Sequence, residues 1–100
     1  MSAQVSLSTP NTLLITGDLN FQTASDVYQQ SRQLINGQDN LTIDLGAVEK
    51  SDSAGLAALV EFLKFAKYQK KQINFINAQD QLLAMAKVAG LTDVLNLTKK

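Results

Sequence analysis

Residues 41–76 limit the fold more than any other part of the chain, because they combine a strand pattern, a long helix pattern and a second strand pattern. LTIDL alternates apolar and polar residues, as a half-buried strand does. After a loop predicted over residues 46–51, helical spacing continues to about Lys70, and INFI follows as another strand. Strands joined by a helix in this way pair in parallel through a right-handed crossover. The segment therefore predicts a parallel β-α-β unit.

The N-terminal part of the chain predicts a hairpin and one helix. QVSLS and LLITG, the latter ending at Gly17, read as short strands on either side of a turn that holds the only proline, Pro10. Apolar residues at helical spacing then begin after Thr23, a candidate N-cap. We expect Asn36 and Gly37 to end this helix, since glycine accepts the left-handed conformation that helix ends often need.

The C-terminal part predicts one more helix and a short helical turn. Asn77 is a candidate cap for a helix over residues 78–89, and Gly90 is a suitable terminator. LTDVLNL predicts one last turn. The full order is β-β-α-β-α-β-α plus that turn. It predicts a single α/β domain over residues 1–100, with a small mixed sheet and helices covering one face.

Composition argues against catalysis and against nucleic-acid binding. Nine basic and nine acidic residues balance, so the chain lacks the basic field that nucleic acids require. Histidine and cysteine are absent, which removes Ser-His and Cys-His nucleophiles and most zinc sites. Asp44, Glu49, Asp52 and Glu61 are close in sequence, but a domain this small offers little cleft for paired-carboxylate hydrolysis. We expect no catalytic residues, no metal and no cofactor.

The chain also lacks membrane signals, although it has one basic cluster. No uncharged apolar run of about 18 residues occurs, and the N-terminus does not resemble a signal peptide, so we expect a cytoplasmic protein without membrane insertion. Lys64, Lys67, Lys70 and Lys71 lie near one predicted helix end. Either these charges complement the helix dipole, or they contact acidic lipid or protein.

The start of the long helix holds more polar residues than a cap needs. Asp52 is a good N-cap, which places Ser53, Ala54 and Gly55 in the first turn. The helix dipole favours an anion such as phosphate on Ser53 by roughly 0.3–1 kcal/mol, whereas the same phosphate would disrupt a docked partner. Two interpretations stay open for this corner: ordinary capping with tight packing at Gly55, or a contact surface that can be switched.

The long helix carries two apolar stripes, although a helix on one face of a sheet usually needs only one. The first stripe is the predicted core face and comprises Leu56, Leu59, Val60, Leu63 and either Ala66 or Lys67. The second is rotated away from it and comprises Ala58, Phe62 and Phe65. Phe62 and Phe65 either pack against adjacent helices or form an exposed aromatic patch that receives a partner protein.

The segment LTIDLGAVEKSDSAGLAALV resembles the centre of STAS domains, the fold of anti-sigma factor antagonists and of sulfate-transporter tails. Asp44 matches the aspartate that ends the family's strand. The family's helix motif, Asp-[Ser/Thr]-x-Gly-[Leu/Ile], is matched by Asp52, Ser53, Gly55 and Leu56. TGDLN is similar to the family's Gly-x-Leu-Asp, with Asn20 in place of the aspartate, and AKVAGLTDVL resembles its late helix. The resemblance covers most of the chain in the right order.

This resemblance implies a regulatory or contact role for the hydroxyl of Ser53. A short STAS chain of this kind is similar to the small cytoplasmic subunit of the Mla-type ABC transporter, which binds the ATPase subunit and lies peripheral to the inner membrane. That system moves phospholipids and maintains outer-membrane lipid asymmetry. The alternative is an anti-sigma factor antagonist that an anti-sigma factor kinase phosphorylates on Ser53. The predicted partner-binding residues are Asp52, Ser53, Ala54, Gly55, Phe62 and Phe65.

Overall fold

A computed structural model describes residues 3–35 and 39–99. The strands are β1 (Ala3–Thr9), β2 (Thr12–Leu19), β3 (Asn40–Ser51) and β4 (Gln72–Ile76). The helices are α1 (Ala24–Leu34), α2 (Ser53–Tyr68), α3 (Asp80–Val88) and α4 (Thr92–Leu95). In this part of the chain, no helix is both long enough and apolar enough to cross a bilayer.

The four strands form one mixed sheet in the order β1-β2-β3-β4. β1 and β2 are antiparallel and form the predicted hairpin. β2 pairs with β3, and β3 with β4, in parallel. Helices α1 and α2 make the two crossovers, as the β-α-β pattern of the sequence predicts. The predicted α/β fold class is confirmed.

The sheet buries one face beneath the helices and leaves the other face more polar. On β2, Leu13 and Ile15 are fully buried, whereas the alternate residues Leu14 and Thr16 are only partly buried. β4 shows the same alternation, because Phe75 is buried and its neighbour Asn74 is exposed. The largest side chains in the core are Phe62, Phe75, Leu13, Ile15, Leu19, Leu41, Ile43, Leu45, Leu59 and Val27.

The loop predicted over residues 46–51 is wrong, because β3 continues through it to Ser51. The pairing of β2 with this part of β3 has two irregularities. At the first, Leu14 pairs with Asp44 and Thr16 with Ala47, so β3 carries one extra residue, as in a β-bulge. The bulge interrupts the alternation of side chains between the two faces of the sheet. A search for strict apolar–polar alternation in the sequence therefore does not detect this part of the strand.

The predicted capping of α3 by Asn77 is also wrong. The helix begins at Asp80, and its N-cap, Gln79, makes no side-chain cap bond. The Asn77 amide instead donates to Asp44 Oδ1 at 3.0 Å, which fixes the end of β4 against β3. The N–H of Ala78 donates to Thr98 O at 2.9 Å, so the chain is extended here rather than helical.

The helix ends follow the sequence more closely. Gly90 has a φ of +73°, and Leu91 N–H donates back to Ala86 O at 2.8 Å, so Gly90 terminates α3 as predicted. α2 ends at Tyr68, slightly before the predicted Lys70. The predicted end of α1 at residues 36–37 lies outside the described residues.

Candidate partner-binding site

Asp52 caps α2 and joins it to the loop between β2 and α1. Its Oδ1 accepts from the N–H groups of Ala54 (2.9 Å) and Gly55 (3.1 Å), which confirms the predicted N-cap. Its Oδ2 accepts from Phe21 N–H at 3.2 Å. Because both carboxylate oxygens already accept backbone hydrogen bonds, Asp52 serves to position this corner of the fold.

These hydrogen bonds lower the pKa of Asp52 below its ordinary value of 3.8. The N–H of Gly55 contributes most, desolvation acts in the opposite direction, and the N–H groups of Phe21 and Ala54 reinforce the lowering. Asp52 is exposed, so solvent screens the effect. The carboxyl group is therefore ionised at neutral pH, and the start of α2 carries a fixed negative charge.

Gly55 allows α2 to lie directly against the end of β2. A Cβ at this position would overlap the carbonyl oxygen of Leu19 and lie 3.0 Å from its carbonyl carbon. Gly55 is buried within the monomer. The prediction that Gly55 contacts a partner is therefore wrong, and the tight-packing interpretation is correct: the bare backbone accommodates the chain's own strand.

Ser53 is exposed in the first turn of α2. Because Asp52 supplies the cap hydrogen bonds, the hydroxyl of Ser53 is not needed for capping. The next residues on the outer side are small: Ala54 is partly buried and Ala57 is exposed. The hydroxyl therefore lies at the positive end of a helix dipole, on a surface that no bulky side chain of α2 covers.

An apolar groove runs beside Ser53, between α2 and α3. Its volume is about 360 Å³. Its lining residues are Ser53, Leu56, Ala84, Met85, Val88 and Ala89. Val88 is 90% exposed, which is high for an apolar side chain in a helix. The sequence analysis did not identify Met85 and Val88 as part of this surface. The only signal in the sequence was that Val88 is apolar but lies off the core stripe of α3.

A second, smaller groove lies on the other side of Ala54, between α1 and α2. Its volume is about 250 Å³. Its lining residues are Ala24, Ser25, Tyr28, Ala54, Ala57, Ala58 and Glu61. The first turns of α2 thus separate the two grooves, and Ser53 and Ala57 are exposed there.

The two phenylalanines do not belong to this surface. Phe62 has no exposed area and packs against the Tyr28 ring at a centroid distance of 5.5 Å, so its prediction as a direct partner contact is wrong. Phe65 is partly buried, packs edge-on against Tyr28 at 6.5 Å, and lies about 18 Å from Ser53 along the helix. The second apolar stripe of α2 therefore exists because α1 packs against it.

Asp44 and Asn20, two further polar residues that match the family pattern, have structural roles. Asp44 Oδ1 accepts from Gly46 N–H (2.9 Å) and from the Asn77 amide (3.0 Å). Ser51 Oγ is buried and has no hydrogen-bond partner within residues 3–35 and 39–99. Asn20 Oδ1 accepts from the N–H groups of Gln22 (2.9 Å) and Thr23 (3.1 Å), and so supports the start of α1. The same ranges contain no group of three or more side chains suited to hold a metal ion.

A protein-family model described as the MlaB STAS domain matches residues 3–98. The chain belongs to this family. The match includes the described strands and helices, so the family assignment applies to the whole fold and to the Asp52–Gly55 corner of this STAS domain.

Curated relatives share moderate sequence identity over most of this STAS domain. The intermembrane phospholipid transport system binding protein MlaB of Escherichia coli is 29% identical over 90 residues, which cover 89% of this chain and 91% of that protein. The protein of the same name in Haemophilus influenzae is 30% identical over 86 residues, covering 82% of each chain.

Solved structures agree with the fold. The anti-sigma factor antagonist SpoIIAA in its unphosphorylated form superposes with a TM-score of 0.70 at 14% identity, covering 89% of this chain and 81% of that one. At such low identity the similarity shows the STAS fold alone. The choice between the functions that STAS domains serve therefore depends on the MlaB family match and on the surface of this chain.

Proposed function

We propose that this STAS domain is a non-catalytic subunit of an intermembrane phospholipid transport system. In this role it docks onto the ATPase subunit of the ABC transporter, stays in the cytoplasm, and reaches the inner membrane only through that partner. Support comes from the MlaB family match and from relatives that carry the name of this transport system. The system's task is to maintain lipid asymmetry of the outer membrane.

The observation that carries the proposal is the exposed hydroxyl of Ser53 at the rim of an apolar groove. We define the docking face as Ser53, Ala57, Met85 and Val88, together with Ala54 at its edge. Most of its side chains are aliphatic or small, and the ionised Asp52 precedes the hydroxyl of Ser53 in the chain. Apolar surface with few charges is typical of the centre of a protein–protein interface.

Apolar burial provides most of the binding energy in this arrangement. Fully burying an exposed valine or methionine side chain contributes about 1.5–3 kcal/mol, and Val88 begins 90% exposed. The small residues Ala54 and Ala57 let a partner approach the backbone of α2 closely. The Ser53 hydroxyl can both donate and accept a hydrogen bond, and so fixes the orientation of the complex.

Two other residues of the motif, Asp52 and Gly55, support this face. Asp52 holds the first turn of α2 through its bonds to Ala54 and Gly55, and it joins that turn to Phe21. Gly55 lets the same turn lie against Leu19. Ser53 therefore projects from a backbone that is fixed on both sides, which lowers the entropic cost of binding.

Co-purification of the ATPase subunit from the native cell tests the proposal. Ser53→Glu should abolish capture, because an unpaired charge buried in an interface costs several kcal/mol, and Val88→Glu should act in the same way. Ser8→Glu is the matched control, since Ser8 is an exposed serine on β1 and does not line the groove. Full capture by folded Ser53→Glu and Val88→Glu proteins would reject the docking face.

A second candidate function is antagonism of an anti-sigma factor, with Ser53 as the phosphorylated residue. It is favoured by the exposure of Ser53 at a helix N-terminus, where a phosphate is tolerated, on a fold that the anti-sigma factor antagonist SpoIIAA shares. Affinity capture separates the two functions, because it would recover either a transporter ATPase or an anti-sigma factor kinase. Mass spectrometry after incubation of the captured complex with ATP would then detect phosphate on Ser53 only in the second case.

A further inference from the structure

The two outer strands of the sheet differ in what covers their free edges. β1 and β4 stand at the ends of the strand order, and an edge strand presents unpaired N–H and C=O groups that can bind another chain. At β4 the chain itself covers part of the edge, because Thr98 N–H donates to Phe75 O at 3.0 Å and Ala78 N–H donates to Thr98 O at 2.9 Å. Among the described residues, no such segment pairs with the outer side of β1.

A single side chain of α1 occupies the outer side of β1 instead. The Oε1 atom of Gln30 accepts from Val5 N–H at 3.1 Å, and its Nε2 atom lies 3.5 Å from Ala3 O. The carboxamide thus meets both an N–H and a C=O group of β1, as a peptide group of a further strand would. Nε2 also donates to Asp26 Oδ2 at 2.8 Å, and this bond holds the amide with its oxygen towards Val5.

The hydrogen bond of Val5 shows which backbone groups of β1 face outwards. Its N–H points away from β2, and in an antiparallel strand the backbone groups of alternate residues point the same way. The N–H and C=O groups of Ala3, Val5 and Leu7 therefore form what we call the outer edge of β1. Gln30 reaches the first two of these residues, whereas Leu7 lies beyond it and has a side chain that is 43% exposed.

β1 itself has none of the features that usually protect an edge strand. Such strands are commonly very short, or carry charged residues or proline. β1 is seven residues long, and its sequence AQVSLST contains neither a charged residue nor a proline. Two copies of β1 can therefore meet without repulsion between their own side chains. Antiparallel pairing about a two-fold axis at Val5 would set Ala3 of one copy opposite Leu7 of the other.

We propose that the Gln30 carboxamide closes the outer edge of β1 and so keeps two copies of the chain from pairing through it. The bond to Asp26 contributes, because an amide that rotated freely would leave Val5 N–H open for part of the time. The proposal is independent of docking to the ATPase subunit, since Gln30 lines neither groove beside Ser53. The role of Gln30 is thus to prevent an intermolecular contact.

Sedimentation equilibrium of the full chain over a range of concentrations tests the proposal. The wild type should remain a monomer. Gln30→Ala removes the carboxamide and keeps a good helix former in α1, so the average mass should rise with concentration towards that of a dimer. Gln29→Ala, at the exposed neighbouring glutamine, is the matched control and should stay monomeric.

A second opening variant and a suppressor assign the effect to β1. Gln30→Met keeps the length and the aliphatic stem of the side chain but removes the amide, so it should also form dimers. Leu7→Lys added to Gln30→Ala should restore the monomer, since it puts a charge on the outer edge at an exposed side chain. Circular dichroism shows whether each variant is folded.

Amide hydrogen exchange, followed by nuclear magnetic resonance, gives a readout at single residues. Val5 N–H should exchange faster in dilute Gln30→Ala than in the wild type, because its acceptor is gone. As the concentration of Gln30→Ala rises, Val5 and Leu7 should both become protected, since pairing of two copies occupies the outer edge.

Monomeric behaviour of the opened proteins would overturn the proposal. Folded Gln30→Ala and Gln30→Met proteins that stay monomeric would show that Gln30 does not keep copies apart. Association of Gln29→Ala to the same degree would show that the effect is not specific to the outer edge. Association of Gln30→Ala that Leu7→Lys does not reverse, or that grows beyond a dimer, would place the contact on another surface.

Discussion

The two ends of α2 differ in chemistry although they belong to one helix. At the N-terminal end, backbone N–H groups converge on Asp52 and the exposed side chains are small or aliphatic. At the C-terminal end, Arg32 stacks on Phe65 beside lysines and carboxamides. Backbone contacts thus fix the first end, and side-chain stacking and charge fix the second. The difference teaches that the two ends of one helix can be held by different kinds of contact when its middle is anchored in the core.

That middle is anchored by Phe62, and the largest effect is expected there. Phe62→Ala should destabilise the fold by about 3–5 kcal/mol, the usual cost of deleting a buried phenylalanine, because Phe62 is fully buried against Tyr28. Urea unfolding followed by circular dichroism measures the change. Phe65→Ala is the matched comparison and should cost clearly less, since Phe65 is only partly buried. Equal losses for both would contradict the distinction drawn between the two rings.

The N-terminal end should respond next most strongly, to Gly55→Ala. The added methyl group would meet the Leu19 carbonyl oxygen, which is backbone and cannot rotate away, so we expect a loss of about 1–3 kcal/mol or more. Thermal unfolding provides the measurement. Ala57→Ser, on the exposed side of the same helix, should stay within about 0.5 kcal/mol. A Gly55→Ala protein as stable as the wild type would show that α2 does not need this close approach.

The smallest effect concerns the pH dependence of the Asp52 cap. Its pKa is lowered in the folded state, so ionised Asp52 stabilises the fold above the unfolded value near 3.8. That contribution is lost as pH falls through the lower folded pKa. Asp52→Asn keeps a capping oxygen but cannot ionise, so the stability difference from the wild type should be constant near neutral pH and shrink in acid. Urea titrations across this range provide the measurement, and a difference that grows in acid would contradict the sign.

The C-terminal end should be insensitive to each of these changes, which sharpens the comparison. Arg32 and Phe65 take no part in the hydrogen bonds that hold the first turn of α2. Asp52→Asn should therefore leave the amide resonances of Arg32 and Phe65 unchanged in nuclear magnetic resonance spectra while it alters acid stability. Shifts at both ends of the helix would mean that the two ends are coupled.

Local patterns in the sequence determined the order of the elements, the cap at Asp52 and the end of α3 at Gly90. Each of these depends on contacts within a few residues of chain, such as Asp52 with Ala54 and Leu91 with Ala86. The place of Ser53 in the first turn of α2 was predicted for the same reason. The parallel crossover through α2 followed from strand and helix periods, because the handedness of such units scarcely varies.

Contacts between distant residues decided everything else. Asn77 reads as a cap, but its amide lies against Asp44, 33 residues away in sequence. Phe62 and Phe65 share one stripe of α2 and both contact Tyr28 of α1, yet Phe62 is fully buried and Phe65 only partly. Gly55 opposes Leu19, and Arg32 of α1 meets Phe65 of α2 only because the two helices pack side by side. The spacing of apolar residues along a chain indicates which segments form helices and strands, whereas only the packing of these elements decides which surfaces meet.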